Sequence, residues 1–299
     1  MASAKNNIIK LVSCVLLILV ADRLVGVFMT HAVNNARNGL LYEDKYKLIQ
    51  AKPSVVIFGS SRANHHYNTG IIQNALGVKT INYGRDGSGI FFYYIALKTL
   101  LKYHVPQLVI LDIKPGEFET ANNAYQLGAL YPLIDKLDVS TADLNAVSPY
   151  ERVKLFFYTY RFNNQFFETL ASARGPLEDT GLISGFSPLP VANNILVKRY
   201  ITSAAVDTAL PGYFNDIIQL CKSRKIRLVV CTSPIYGHYI YEASLAETDS
   251  ICRRNGIVYL NYANNAFLTF NGDVFSDEAH LNSKGADIFT NDFVARIKP

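Results

Sequence analysis

Short apolar runs alternate with stretches of helical spacing through much of the chain. The apolar runs are rich in β-branched residues and end at polar or glycine-containing turns, as buried parallel strands do. They lie at 54–58, 78–83, 108–111, 226–231 and 257–260. Helical spacing of large apolar residues occupies 68–76, 89–103, 213–224, 247–254 and 283–297. This alternation predicts an α/β protein with three α/β/α layers and a central parallel sheet.

The alternation lapses between about 114 and 205. This region holds aromatic-rich helical stretches and a loop rich in Gly, Pro and Ser. We interpret it as an insertion that forms a lid or a wall of the substrate site. The pattern thus predicts a membrane anchor at 1–30, a helical stalk or linker at 31–52 and an α/β domain at 53–299 that carries the insertion.

The first apolar segment is long enough for a transmembrane helix. Residues 8–29 are mostly apolar, with an unbroken run at 11–21 followed by an Asp-Arg pair. A bilayer requires about 20 mostly apolar residues. Two lysines precede the run, which favours a cytoplasmic N-terminus. We therefore expect a single-pass protein of the inner (cytoplasmic) membrane whose main domain is extracytoplasmic, in the periplasm or outside the cell.

Three alternatives to an anchor stay open. A cleaved signal peptide needs small residues at its cleavage site, and Val20-Ala21-Asp22 matches that poorly. Residues 11–14 resemble a lipoprotein box, but almost no apolar core precedes them. A buried amphipathic helix also fits the length. The sequence does not decide whether the segment is cleaved.

Composition narrows the class of protein. With 299 residues, 49% hydrophobic and 18% charged, the chain can bury one large core or two smaller ones and is not broadly disordered. The formal net charge is only +5, without a run of five basic residues, so nucleic acid is not an expected partner. The four cysteines show no metal-binding spacing, although one disulfide is possible. We expect no metal and no cofactor.

A serine lies where the first strand ends. Gly59-Ser60-Ser61-Arg62 follows the run at 54–58, at the edge of a parallel sheet where ligands bind. Ser61 there can direct its hydroxyl into a cleft and its N–H toward a developing oxyanion. Gly84, after the second strand, belongs to the same edge and can bring a backbone N–H close to a substrate carbonyl. Ordinary structural turns are the alternative for both segments.

The segment before the last helix carries an acid and a base. Asp277 precedes His280 by three residues. A carboxylate at that spacing can turn back and fix the imidazole ring and its tautomer, leaving the second ring nitrogen free to deprotonate a serine. The alternative is a helix-capping aspartate beside a surface histidine. The conjunction of this pair with Ser61 and Gly84 favours a catalytic interpretation.

Together these segments resemble the sequence blocks of the SGNH/GDSL hydrolase superfamily. The resemblance implies a flavodoxin-like fold, Ser61 as nucleophile, Asp277 and His280 as the rest of a triad, and the N–H groups of Ser61 and Gly84 as an oxyanion hole. It runs from about residue 54 to the C-terminal segment, interrupted by the insertion. The Gly-Ser-Ser-Arg first block is similar to that of membrane-anchored relatives linked to acylation of cell-envelope polysaccharides.

The chain departs from the family pattern at the third block. The family's Gly-x-Asn-Asp is replaced by Leu111-Asp112-Ile113-Lys114-Pro115, so its asparagine oxyanion donor has no counterpart. An ionised aspartate is an acceptor and cannot replace it. Arg62 and Asn82 are candidates for the missing oxyanion or substrate contact. Tyr236, which follows the fourth strand, is a candidate for lining the substrate groove.

Two other interpretations of the serine region compete with this one. Gly59-x-Ser61-x-Ala63 also resembles the nucleophile elbow of α/β-hydrolases, in which the acid and the histidine lie on separate loops. His65 and His66 are close to the serine in sequence. They can be read as a base, as metal ligands, or as exposed or capping residues.

The function predicted is that of a serine esterase. It would act through an acyl-enzyme on O-acyl groups, above all O-acetyl groups, of a cell-envelope or extracellular glycan. An O-acyltransferase would use the same residues and would need a partner protein that donates the acyl group. A lipid esterase and a non-catalytic envelope protein that binds glycan or a partner are further alternatives. The acyl group, the glycan and the oligomeric state stay open.

Overall fold

A computed structural model describes most of the chain. The described residues are 2–119, 123–178, 184–191, 199–200, 206–239, 243–264, 268 and 271–298. Contacts between residues divide the chain into two compact units. One unit comprises residues 1–46 and 123–178, and we call it the helical unit. The other comprises residues 47–122 and 179–299, and we call it the α/β unit.

Helices and strands alternate along much of the chain. In chain order they are α1 (Ala2–Asn34), α2 (Gly39–Lys45), β1 (Val55–Gly59), α3 (Ser61–His66), α4 (Thr69–Leu76), β2 (Thr80–Gly84), α5 (Ile90–Tyr103), β3 (Leu108–Asp112), α6 (Asn123–Gly128), α7 (Thr141–Val147), α8 (Glu151–Phe156), α9 (Tyr158–Arg161), α10 (Phe166–Arg174), β4 (Arg199–Tyr200), α11 (Leu210–Ser223), β5 (Arg227–Thr232), β6 (His238–Tyr239), α12 (Ala243–Asn255), β7 (Val258–Asn261) and α13 (Ser283–Ile297). A π-helical turn lies at Tyr46–Gln50, and 3₁₀ turns lie at Tyr131–Lys136 and Gly272–Val274.

The main sheet of the α/β unit is parallel throughout. Its five described strands stand in the order β2-β1-β3-β5-β7, and β4 pairs with β6 in a separate two-stranded sheet. The order reverses direction between β1 and β3, which makes the carboxyl ends of these two strands the expected place for a ligand. The register sets Gly59 opposite Gly84, so β1 and β2 end at the same level. The predicted parallel sheet with flanking helices is confirmed.

The two faces of the sheet are covered by different helices. Alternate strand residues such as Ile57 and Ile110 are buried with residues of α3, α4 and α13, including Ala63 and Phe289. The intervening positions point to the other face, because successive strand side chains alternate. There Phe58 meets the Tyr83 ring, which stacks on Phe92 of α5, with ring centroids 5.6 Å apart. The predicted helices at 68–76, 89–103, 213–224, 247–254 and 283–297 are confirmed within a few residues.

The cysteines are free thiols. Cys14 is exposed on α1, whereas Cys221, Cys231 and Cys252 are buried. Burial raises the pKa of Cys221 and of Cys252 to about 12. These three residues therefore behave as small apolar core residues.

The helical unit contains α1, α2 and α6–α10. The last third of α1 is packed, with Met29, Ala32 and Val33 buried. Lys45 donates hydrogen bonds to the carbonyls of Val33, Asn34 and Ala36, at and just beyond the C-terminal end of α1. The predicted helical stretch around 154–170 is three short helices, α8–α10. The contacts thus place the predicted anchor, most of the predicted stalk and part of the predicted insertion in one unit. The sequence pattern had instead predicted boundaries at residues 30 and 52.

One helix, at Ala4–Asn34, is long and apolar enough to cross a membrane by length and composition. Its most apolar 18-residue window has a mean hydropathy of 2.4 and is almost entirely exposed. A membrane anchor and a signal sequence share these properties.

Candidate active site

Ser61 is the first residue of α3, directly after the turn that ends β1. The side chain of Ser60 caps the helix by accepting from the N–H of Arg62. A Cβ atom on Gly59 would lie 2.6 Å from the Cβ of Ala63 and 2.9 Å from that of Asp112. Only glycine fits this close approach of strand, helix and neighbouring strand. The turn therefore sets the serine at the carboxyl edge of the sheet, where it is partly exposed.

Asp277 and His280 lie on one tight loop between the last 3₁₀ turn and α13. The loop is closed by an antiparallel bridge between Phe275 and Leu281. One carboxylate oxygen of Asp277, Oδ1, accepts the backbone N–H groups of Ala279 at 2.7 Å and of His280 at 2.9 Å. These bonds fold the carboxylate back against the imidazole, and Oδ2 lies 2.9 Å from His280 Nδ1. Acid and base are thus positioned by a single turn.

The structure brings the loop to the serine. His280 Nε2 lies 2.8 Å from Ser61 Oγ, and its other ring nitrogen faces Asp277. The carboxylate accepts from an Nδ1–H, which leaves Nε2 as the acceptor for the serine hydroxyl. Burial raises the pKa of Asp277, but its hydrogen bonds to the His280 ring and the Ala279 N–H outweigh this and lower the pKa below its usual value. An ionised carboxylate, an oriented imidazole and a hydroxyl therefore stand in line.

The two expected oxyanion donors differ in their availability. The Ser61 N–H, in the first turn of α3, has no acceptor in the part of the chain that the structure describes. Gly84 is close to α3, since a Cβ there would collide with the backbone N of Asn64. However, the Gly84 N–H donates to Asn82 Oδ1 at 2.8 Å. The second donor is at the correct edge but already carries a hydrogen bond.

Asn82 has a structural role in this arrangement. It is fully buried, and its side-chain amide donates to the carbonyl of Ala63 at 2.6 Å and weakly to that of Tyr67 at 3.4 Å. Together with the bond from Gly84, these contacts fasten α3 to β2. The amide is directed into the protein, so it is not placed beside Ser61 to donate to a substrate oxyanion.

Arg62 also points into the interior. Only 5% of the residue is exposed, and its guanidinium donates to the hydroxyl and the carbonyl oxygen of Ser233 and to the carbonyl of Pro234. Its Nε lies 4.0 Å from Asp112 Oδ2. A side chain that is buried and bonded in this way is not placed to contact a substrate.

Tyr236 contacts the loop that carries Asp277 and His280. The residue is 8% exposed, and its ring centroid lies 5.3 Å from that of Phe275. Its backbone N–H donates to the carbonyl of Glu278 at 3.3 Å. The structure therefore places Tyr236 among the residues that hold the loop rather than on an open groove.

A buried polar network beneath the site was not foreseen from the sequence. His66, which is fully buried, accepts the backbone N–H of Leu281 on Nε2 at 2.9 Å. Its proton is therefore on Nδ1, which donates to Ser233 Oγ at 2.9 Å, and that hydroxyl donates to Asp112 Oδ2 at 3.2 Å. Burial lowers the pKa of His66, and the nearby Arg62 adds to this effect, so the ring is neutral.

Asp112 is the centre of that network. Its Oδ1 accepts from the Tyr67 hydroxyl at 2.8 Å and from the Ser233 N–H at 2.9 Å. Burial raises its pKa, against the opposing effect of Arg62 and of these hydrogen bonds. The sequence offered one signal for this network, since Asp112 and Ser233 are polar residues at the ends of buried strands. The interpretation of His66 as an exposed or capping residue was wrong.

Residues 184–191 form one side of the site. The carbonyl of Ser184 accepts from the N–H of Asn82, on the otherwise open edge of β2. The N–H of Ser187 donates to the carbonyl of Asn64 at 3.0 Å, and its carbonyl accepts from His65 Nδ1 at 2.6 Å. The His65 ring in turn lies 5.4 Å from the His280 ring, centroid to centroid. This part of the predicted insertion therefore packs beside α3.

Metal ligation was one alternative for the histidines near the serine. Within the described ranges, no group of three or more His, Cys, Asp or Glu side chains is arranged to hold a metal ion. The imidazoles of His66 and His280 are instead engaged with Ser233 and the Leu281 N–H, and with Ser61 and Asp277.

Comparisons with known proteins give structural similarities at low sequence identity. No protein-family model matches the sequence, and a search of curated proteins finds no relative. Among solved structures, the chain is similar to an inferred acylhydrolase from Bacteroides fragilis NCTC 9343, with 13% identity, a TM-score of 0.36, and coverage of 81% of this chain and 86% of that one. It is similar to an acetyl xylan esterase, AlAXEase, with 12% identity, a TM-score of 0.39, and coverage of 82% and 100%. It is also similar to a GDSL-like lipase from Bacteroides thetaiotaomicron VPI-5482, with 11% identity, a TM-score of 0.38, and coverage of 82% and 88%.

Proposed function

We propose that this chain is a serine ester hydrolase of the SGNH/GDSL type. The observation that carries the proposal is the line of hydrogen bonds from Asp277 through His280 to Ser61, with distances of 2.9 Å and 2.8 Å. The same three residues carry the resemblance between the sequence and the superfamily. A surface serine, a surface histidine and a capping aspartate would have no reason to meet across 219 positions of the chain.

Acylation begins with the serine hydroxyl. Ser61 Oγ attacks the ester carbonyl carbon while His280 Nε2 takes its proton, and Asp277 stabilises the imidazolium that forms. When the tetrahedral intermediate collapses, the bond to the alcohol oxygen breaks and His280 returns the proton to that oxygen. The acyl group is then an ester of Ser61, and the alcohol leaves.

Deacylation repeats the sequence with a second nucleophile. With water, His280 takes a proton as the water oxygen attacks the acyl carbon, and it returns that proton to Ser61 Oγ as the bond between the acyl carbon and Oγ breaks, so that a carboxylic acid leaves. With a sugar hydroxyl in place of water, the same steps give an O-acyltransferase. The esterase reaction needs no partner, whereas the transferase would need a protein that supplies the acyl donor.

The oxyanion is the weaker part of the proposed machinery. The free Ser61 N–H is the first donor, and the Gly84 N–H becomes the second when it exchanges Asn82 Oδ1 for the substrate oxygen. Arg62 and Asn82, the two side chains expected to replace the family's third donor, both point into the interior. Because the loss of one such donor costs about 10²–10³ in rate, we expect slow turnover of simple esters.

The proposed substrate is an O-acylated, above all O-acetylated, glycan of the cell envelope or the extracellular space. The support is the Gly-Ser-Ser-Arg first block, which is similar to that of envelope-polysaccharide relatives, together with the apolar helix α1. We propose that α1 anchors the chain in the inner membrane with the α/β unit extracytoplasmic, because lysines precede the apolar run.

Covalent labelling tests the proposal directly. The full chain in detergent is treated with a fluorophosphonate, and p-nitrophenyl acetate hydrolysis is measured in parallel. Labelling of Ser61, with loss of labelling and hydrolysis in Ser61→Ala and His280→Ala, is the expected result. Ser223→Ala, which removes an exposed hydroxyl on α11, is the matched control. A folded chain that is neither labelled nor active would point instead to a non-catalytic envelope protein that binds glycan or a partner.

A further inference from the structure

The helical unit exposes large apolar side chains outside α1. Among the described residues, Phe167 is 82% exposed, and eight other large apolar side chains of this unit outside α1 are more than a third exposed. Five of these nine lie on or between α8 and α10, and we call them the aromatic surface: Val153, Phe156, Phe157, Phe166 and Phe167. Single exposed apolar residues are ordinary, but several on adjoining short helices mark a surface that contacts something apolar.

The aromatic surface contacts α1 at one level along the helix, at residues 22–26. The Arg23 guanidinium donates to the carbonyl of Phe156 at 2.7 Å and lies 4.3 Å from the centroid of that ring. The buried carboxylate of Asp22 accepts the N–H groups of Tyr158 and Thr159, each at 2.9 Å. A Cβ on Gly26 would collide with the Tyr158 ring, so the ring packs directly on the helix backbone. These contacts hold the α8–α9 junction against residues 22–26.

Residues 22–26 lie near the C-terminal end of the apolar part of α1. Its exposed apolar side chains begin at Ile8 and continue through Leu24 and Val27 to Phe28. A hydrocarbon core of about 30 Å is spanned by about 20 helical residues at 1.5 Å per residue. Counted from Ile8, the span ends near Val27. The α8–α9 junction therefore lies within about two turns of the boundary between hydrocarbon and headgroups.

The beginning of α10 points toward the same boundary. The helix packs along α1, and near its C-terminal end the carbonyl of Ser172 accepts the N–H of Arg37, beyond the end of α1. Phe166 and Phe167 begin the helix, about two turns closer to the apolar run. Polar groups nearby suit the headgroup layer, because Arg23 is partly exposed and Arg152 is exposed.

We propose that the aromatic surface is a membrane-contact surface that rests in the interfacial layer of the bilayer around α1. This inference depends on the anchor proposed above, and its occupant is lipid rather than a second protein. Phenylalanine and other large apolar side chains on helices that lie on a membrane insert at the boundary between headgroups and acyl chains, and basic side chains next to them meet anionic lipid. The helical unit would then be held against the membrane at two places, by the span and by the rings beside it.

The absence of tryptophan from the sequence allows a direct test of depth. Single substitutions to tryptophan are made at three exposed positions of the full chain, which is reconstituted into phosphatidylcholine vesicles with or without bromine on the acyl chains. Leu16→Trp reports on the span, and Phe167→Trp reports on the aromatic surface. Leu177→Trp is the matched control, because Leu177 is 73% exposed in the same unit. It adjoins Glu178, whose N–H donates to the carbonyl of Arg37, beyond the end of α1 that is farther from the apolar run.

The three variants separate this inference from the anchor. Brominated lipid is expected to quench Leu16→Trp and Phe167→Trp and to leave Leu177→Trp unchanged, with a blue-shifted emission for Phe167→Trp in vesicles. If Leu16→Trp is quenched and Phe167→Trp behaves like Leu177→Trp, the membrane-contact surface is refuted and the anchor stands. If Leu16→Trp is not quenched, the anchor is refuted and the membrane-contact surface with it.

Discussion

Replacing Asp277 by asparagine should disable the triad while keeping its shape. Oδ1 of Asp277 accepts two backbone N–H groups, at 2.7 Å and 2.9 Å, so an asparagine must keep its carbonyl oxygen there. Its NH₂ group then takes the place of Oδ2, 2.9 Å from His280 Nδ1, while Oδ1, 3.0 Å from the same nitrogen, is already occupied by the two backbone N–H groups. His280 Nδ1 then accepts a hydrogen bond from that NH₂ group, and the ring proton moves to Nε2. The hydroxyl of Ser61 therefore faces a donor instead of a base.

The wrong tautomer should lower kcat by about 10⁴, as an aspartate-to-asparagine change does in a Ser-His-Asp protease. This corresponds to about 5.4 kcal/mol of transition-state stabilisation. The measurement is kcat/KM for p-nitrophenyl acetate with the full chain in detergent. Asp273→Asn makes the same charge change on an exposed side chain four residues earlier and is the control. A folded Asp277→Asn chain that loses less than about tenfold would refute the assigned role of Asp277.

Three further predictions concern pH and stability. Because its hydrogen bonds lower the pKa of Asp277, an NMR titration of this carboxyl group should have its midpoint below that of an unperturbed aspartate, and a midpoint above it would contradict the geometry. Gly84→Ala should destabilise the fold by about 1–3 kcal/mol, because the new Cβ collides with α3. Gly212→Ala, whose Cβ meets open space on α11, should instead stabilise the fold by about 0.5–1 kcal/mol. Thermal unfolding of the two variants measures the difference. Asp112→Asn should cost about 3–5 kcal/mol in denaturant unfolding, because a buried guanidinium loses its counter-charge, and a cost below about 1 kcal/mol would show that the pair is not ionised.

The parallel sheet could be predicted because each of its strands is a local pattern. The runs at 54–58 and 108–111 are apolar on both faces, and only a strand covered by helices on both sides needs that composition. The helix ends were also encoded locally, as where Asn68 accepts the N–H groups of Gly70 and Ile71 at the start of α4. The proposed acid and base were recognisable for a similar reason, since three positions separate them.

The orientation of single side chains could not be predicted from such patterns. Arg62 and Asn82 were expected near the oxyanion, yet Arg62 is turned inward by Ser233, 171 positions away, and Asn82 by the carbonyl of Ala63 on the neighbouring helix. No local pattern in the sequence distinguishes the two directions. His66 is buried because it accepts an N–H that lies 215 positions later. The grouping of α1 with α8–α10 depends on the contact of Asp22 with Thr159, which is also distant in sequence.

The long separation between Ser61 and His280 has a consequence for synthesis. A growing chain completes β1, α3 and the serine turn early, but its acid and base are added together more than two hundred residues later. The loop of Asp277 is held by the packing of α13 on α3 and by the Tyr236 N–H, so it reaches Ser61 only after these segments have packed together. If Ser61 is the proposed nucleophile, a partly synthesised chain carries it without its acid and base, and the site forms only when residues 275–297 fold back onto α3.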